Sequence, residues 1–134
     1  MKSIETIQDL LRPLFPGYMG VEVTGITAEC VTGTLVVRPE LCTAGGILHG
    51  GAYMAFADTL GAVATLANLP PDTRTTTIES KTNFLGAAQV GTTVTAECTP
   101  LHRGRTTMVW QTTIRSQAGK PCAIVLQTQL VIAG

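Results

Sequence analysis

The spacing of apolar positions changes along the chain and divides it into elements. Ile4, Ile7, Leu10, Leu11 and Leu14 fall at the three-to-four spacing of one helix face. Ser3 can cap that helix, which runs through Leu11, and Pro13 lies near its end. Phe15-Pro16-Gly17 predicts a turn. Val21 to Thr27 and Val31 to Val37 alternate and carry β-branched residues, which predicts two strands of a hairpin. Arg38 to Ala44 reads as a loop. From Ala52 to Leu69 the polar positions all but vanish. Tyr53, Met54, Phe56, Leu60, Val63, Leu66 and Leu69 stand among alanines, and a helix apolar all round is expected to be buried on every side. Pro70-Pro71 stops it. The rest predicts strands: a Thr-rich stretch from Arg74 to Phe84, then Thr92 to His102, Thr106 to Ser116 and Ala123 to Ile132. Arg103-Gly104-Arg105 and Gln117-Ala118-Gly119-Lys120 are their hairpin turns.

The order is helix, two strands, one long helix, four strands. An antiparallel sheet of five or six strands, curled around one buried helix, fits an α+β layout. The helix of about 18 residues is about 27 Å long. One sheet covers one side of it, so the other side and the sheet edges call for a second copy. The 134 residues read as one domain, 1–134. Charged residues make up only 13%, against about 25% in an average soluble domain. Sparse charge again implies surface covered by another subunit.

Zero net charge removes any general attraction to nucleic acid or an anionic membrane. No apolar run reaches the roughly 20 residues that span a bilayer. Met1-Lys2-Ser3-Ile4-Glu5 lacks the apolar run of a signal peptide. Cys30, Cys42, Cys98 and Cys122 show no Cys-x-x-Cys spacing and no metal pattern. Free thiols in a reducing cytoplasm are the expectation, and with them a cytoplasmic location.

Two features suggest chemistry. Gly45-Gly46-Ile47-Leu48-His49-Gly50-Gly51 opens the long helix and leaves backbone N–H groups free where partial positive charge gathers. An oxyanion or polarised carbonyl suits such a place. Asp58 is a lone carboxylate in the apolar helix, costly unless paired or used. It is either a structural acid bonded to a serine, threonine or N–H, or an acid serving an oxyanion donor. The glycines eight residues upstream favour the second. His49 has no acid paired with it in sequence, so it reads as a support of the glycine loop rather than a base. The glycines are not Gly-x-Gly-x-x-Gly after a strand, so no dinucleotide site is implied. Arg103 and Arg105 fit a phosphate site or a solvated turn equally. Thr75, Thr76 and Thr77 are good strand formers in any case. Tyr53, Phe56, Phe84 and Trp110 read as core or acyl-pocket wall.

Gly46-Ile47-Leu48-His49-Gly50-Gly51, then Asp58, then Thr77-Ile78-Glu79-Ser80-Lys81-Thr82-Asn83-Phe84-Leu85 before Gly91, resembles the hotdog-fold acyl-CoA thioesterases. The nearest branch is the phenylacetate-degradation type, with an aspartate on the helix. The resemblance covers roughly residues 40 to 132. It implies that the Gly50 N–H polarises the thioester carbonyl and that Asp58 attacks as nucleophile or activates water. His49 would support the loop. Thr77, or alternatively Thr76, would help hold the water. Gly51 and Phe84 would border the substrate, and Arg103 and Arg105 would meet coenzyme A phosphates. The chain departs at Thr43, where many relatives carry Asn or Gln seven residues before the glycine. No metal or redox cofactor is implied. The implied partners are an acyl-CoA substrate and further copies of the chain, as a homodimer or a dimer of dimers. A hotdog enoyl-thioester hydratase or dehydratase, and a non-catalytic acyl-CoA-binding domain, are the rival readings.

Overall fold

A computed structural model describes residues 1–134. The chain runs α1 (Ile4–Leu11), α2 (Phe15–Met19), β1 (Glu22–Ile26), β2 (Val31–Val36), one 3-10 turn (Pro39–Leu41), α3 (Gly50–Leu66), β3 (Thr73–Phe84), β4 (Thr93–Arg103), β5 (Thr107–Arg115) and β6 (Pro121–Ala133). The strands form one antiparallel sheet in the order β1-β2-β4-β5-β6-β3, curled around α3. This is the expected α+β layout, with six strands. No helix is long and apolar enough to cross a membrane.

The core lies between α3 and the inner face of the sheet. Phe56, Leu60 and Val63 from the helix meet Leu35, Val94, Trp110, Ile114 and Val125 from the strands, all buried. Each such side chain contributes about 1.5–3 kcal/mol of hydrophobic burial. The Trp110 indole N–H donates to Thr65 Oγ1 at 2.9 Å, and that hydroxyl donates to the Gly61 carbonyl at 2.8 Å. A buried indole thereby keeps its donor satisfied. Ser3 caps α1 by accepting from the Thr6 N–H. Gln8 of α1 donates to the Val21 carbonyl and accepts from the Val23 N–H, both at 2.9 Å. A side chain thus satisfies part of the open edge of β1.

Two expectations need correction. Phe15-Pro16-Gly17 is not a turn but the start of α2. Pro16 sits in the first helical turn, where its missing N–H has no partner to lose, and Gly20, at φ 89°, ends the helix. The long helix spans Gly50–Leu66, taking in two of the glycines and stopping short of Leu69. Within the single chain the sheet covers one side of this helix and leaves another open, the side for which the sequence calls for a second copy. Gly51, Met54, Ala55, Asp58, Ala62 and Leu66 form a stripe the sheet leaves partly open, with Met54 39% and Leu66 40% exposed. A single curled sheet cannot close around a helix. The neighbouring β3 is an edge strand, pairing only with β6, and its Ile78 is 55% exposed.

Candidate active site

Asp58 lies on the open stripe of α3, facing β3. A bulge between Thr77 and Glu79 shifts the register of β3 against β6. Before it, Thr73, Thr75 and Thr77 are the half-buried positions; after it, Ser80 and Thr82 are. Thr77, not the exposed Thr76, therefore faces the helix acid. Its hydroxyl donates to Asp58 Oδ1 at 2.6 Å. The Gln127 side-chain amide donates to the same oxygen at 3.0 Å.

Direction in this network follows from proton count. The Gln129 amide donates to Thr77 Oγ1 at 2.7 Å, so the single hydroxyl proton of Thr77 is free to point at the carboxylate. Gln129 in turn accepts from the Thr75 hydroxyl at 2.9 Å. Gln127 and Gln129 are 1% and 0% exposed. No cation pairs with Asp58; the ion pairs of the chain are Asp9–Arg12 and Glu29–Arg103. Neutral donors alone hold its charge, all on Oδ1. Oδ2 makes no hydrogen bond within the chain. Asp58, Met54, Ala55, Thr77 and Ser80 line an open cavity of about 280 Å³.

Two turns before Asp58, at one end of the stripe, is the helix N-terminus. His49 is its cap: Nδ1 accepts the Gly51 N–H at 2.8 Å, which requires that nitrogen to be unprotonated. The His49 N–H donates to the Leu41 carbonyl and the Leu48 N–H to that of Ala88, which pins the entering chain. The Gly50 N–H, at the first helical position, donates to no group of the chain. The Phe84 ring lies against Gly50, 3.1 Å from where a Cβ would stand, and its centroid is 6.0 Å from that of Tyr53. Phe15, Tyr18 and Leu41 border an open cleft beside His49 and Gly51.

The other expected site residues lie apart from Asp58. The Thr43 hydroxyl accepts the Gly45 N–H at 3.4 Å and serves its own turn. Arg103 belongs to β4 rather than to the turn. Its guanidinium donates to the Ala28 carbonyl at 3.0 Å and to Asn68 Oδ1 at 3.4 Å, and lies 3.8 Å from Glu29. These contacts place it at the C-terminal end of α3, away from Gly50. Arg105 is exposed in the following turn and makes no side-chain hydrogen bond or ion pair.

Gln127 and Gln129 are the residues that sequence reading missed. The signal was present: β6 buries Ala123, Val125, Gln127 and Gln129 at alternate positions. Two carboxamides on an otherwise apolar inner face are unusual enough to mark a site.

Residues 45–123 match the family described as the thioesterase superfamily. The proofreading thioesterase EntH of Cronobacter turicensis is 30% identical over 105 residues, spanning 78% of this chain and 76% of that protein. The 1,4-dihydroxy-2-naphthoyl-CoA hydrolase of Escherichia coli is 28% identical over 120 residues, 90% of this chain and 88% of its own. The crystal structure of a thioesterase from Haemophilus influenzae superposes with a TM-score of 0.94 at 28% identity, covering 99% of this chain and 92% of that one.

Proposed function

The chain belongs to the thioesterase superfamily and has its hotdog fold, and from that premise we propose that it hydrolyses acyl-CoA thioesters to the free acid and coenzyme A. Asp58 is the nucleophile or general base, and the Gly50 N–H is the donor to the thioester carbonyl. One observation carries this reading. Two donors fix Oδ1 of Asp58, while Oδ2 is unbonded on a residue that lines an open cavity. An oxygen left free beside an open cavity can take a proton from water or attack a carbonyl carbon.

As a base, Asp58 takes a proton from water while the water oxygen bonds to the carbonyl carbon. The carbonyl electrons move onto oxygen, where the Gly50 N–H and the helix dipole receive them. Such a donor is worth about 2.7–4 kcal/mol. Collapse breaks the C–S bond, and the departing thiolate takes up the proton. As a nucleophile, Asp58 itself bonds to the carbonyl carbon and expels the thiolate, and water then cleaves the acyl-aspartyl anhydride. His49 supports the first turn in either case. An enoyl-thioester hydratase would need His49 as its base, but its Nδ1 is engaged with Gly51.

Gly50 and Asp58 of one chain are separated by eight residues, about 12 Å of helix rise. A reacting atom must lie within roughly 3–3.5 Å of its partner. The site is therefore shared between two chains whose helices run antiparallel, joined along the open stripe of α3 and the edge strand β3. The assembly is a homodimer or a dimer of dimers. The relative that acts on a naphthoyl-CoA, and the Tyr53 and Phe84 rings near Gly50, support an aromatic acyl group. The helix aspartate supports a place near the phenylacetate-degradation branch.

The test is thiol release from a panel of aryl- and aliphatic-CoA thioesters by the wild type and by Asp58→Asn. The asparagine oxygen can still accept from Thr77 and Gln127, so the fold and Tm are retained while turnover falls at least about a hundredfold. If the variant stays within a few-fold of wild type, Asp58 is structural and the mechanism is wrong.

A further inference from the structure

We propose that Gln127 is a positioning residue for Asp58, and that Gly61 is a glycine so that the Gln127 amide can reach it. The inference rests on Asp58 being the reacting carboxylate.

Gln127 stands on the inner face of β6, beside Val125 and opposite Trp110 of β5. Burying a carboxamide there is costly unless both its ends are hydrogen-bonded. Only one end is. The amide nitrogen donates to Asp58, whereas Oε1 is buried without a partner. A side chain kept for stability would be apolar, like Val125, or satisfied at both ends.

Gly61 is a second unfavourable local choice, a glycine inside a helix. It lies one turn beyond Asp58 on the same face. A Cβ at Gly61 would stand 2.0 Å from Gln127 Oε1 and 2.2 Å from its Cδ. No real contact is that short, so any larger residue at 61 displaces the amide. Two locally costly choices thus meet at one point, and what they achieve is the hydrogen bond on Asp58 Oδ1. Departures from local preference of this kind mark functional positions.

The consequence is orientational. With Thr77 alone on Oδ1, the carboxylate can pivot about a single hydrogen bond. With Gln127 added, Oδ1 is held from two directions and Oδ2 keeps one orientation. Losing the second donor lowers the fraction of bound complexes aligned for attack. That loss falls on kcat and leaves substrate affinity alone.

The test uses Gln127→Met, which keeps length and removes the donor, together with Gly61→Ala, the double variant and Asp58→Asn. In Gln127→Met, kcat falls about ten- to a hundredfold with KM within about twofold. Tm is unchanged or higher, because the unpartnered oxygen is gone. Gly61→Ala gives the same kcat loss, and adding Gln127→Met to it lowers kcat no further. If Gly61→Ala does not fold, the kcat-against-KM split in Gln127→Met decides alone. Full kcat in Gln127→Met, or a loss of kcat that only tracks a falling folded fraction, overturns the inference. An active Asp58→Asn sinks the reading of Asp58 itself. An inactive Asp58→Asn beside a fully active Gln127→Met sinks only the positioning role.

Discussion

Phe84 packs against Gly50, its ring 3.1 Å from the point where a Cβ on that glycine would stand. The missing side chain is what lets the last residue of β3 lie on the first turn of α3. Replacing Gly50 by proline removes its N–H outright. Proline suits the first helical position, and His49 before it is already extended at φ −65° and ψ 141°. In a Phe84→Ala background, which clears the ring, Gly50→Pro is expected to lower kcat about 10²- to 10³-fold relative to Phe84→Ala alone. Tm should stay within a few degrees. Equal kcat in the two proteins would remove the Gly50 N–H from the chemistry.

His49 is expected to act through its cap. Asparagine is an equally good cap, so His49→Asn keeps turnover within about threefold and leaves Tm nearly unchanged. His49→Ala loses the hydrogen bond to Gly51 and costs about 1 kcal/mol, read in thermal unfolding. A loss of turnover above about a hundredfold in His49→Asn, with Tm unchanged, would instead assign His49 a proton-transfer role.

The two arginines should separate. Arg103 ties the β1–β2 turn to the end of α3 through Ala28 and Asn68. Arg103→Ala is expected to cost about 1 kcal/mol of stability and to change KM little, because its partners are part-exposed. Arg105 has no partner in the chain. If it meets a coenzyme A phosphate, Arg105→Ala raises KM for acyl-CoA about fivefold, and less so at high salt. KM for a short thioester lacking the nucleotide should not move. A parallel rise for both substrates rules the phosphate contact out.

A shared site makes a numerical claim about mixed subunits. Asp58→Ala and Gly50→Pro/Phe84→Ala are each expected to be inactive. Mixed equally under conditions of subunit exchange, about half the dimers are hybrids, each with one site free of both the Asp58 and the Gly50 changes. About a quarter of the wild-type sites should then return, apart from the effect of Phe84→Ala on its own. Exchange is monitored by native mass spectrometry. No recovery in exchanged, folded dimers would falsify the two-chain site.

What the sequence determined by itself was the order and type of the long elements that local patterns mark. Alternation in β1 and β2, strand-type runs in β3 to β6 and the apolar stretch of α3 marked the elements, because each pattern records what its own element buries. Asp58 stood out as one charge in an apolar helix, and the glycines before it as open donors. Tertiary structure decided the rest. Gln129 reaches Thr77, and Gln127 reaches Asp58, across 52 and 69 residues of chain. Those meetings depend on the register of β6 against β3 and on a bulge that no local pattern specifies. Arg103 found its partners at residues 28 and 68 for the same reason. The sequence called for one side of α3 to be left to a second copy, but not for which residues form that side. Hydrophobicity shows that a face avoids water, but only the reach of the curled sheet shows which side its own chain leaves uncovered.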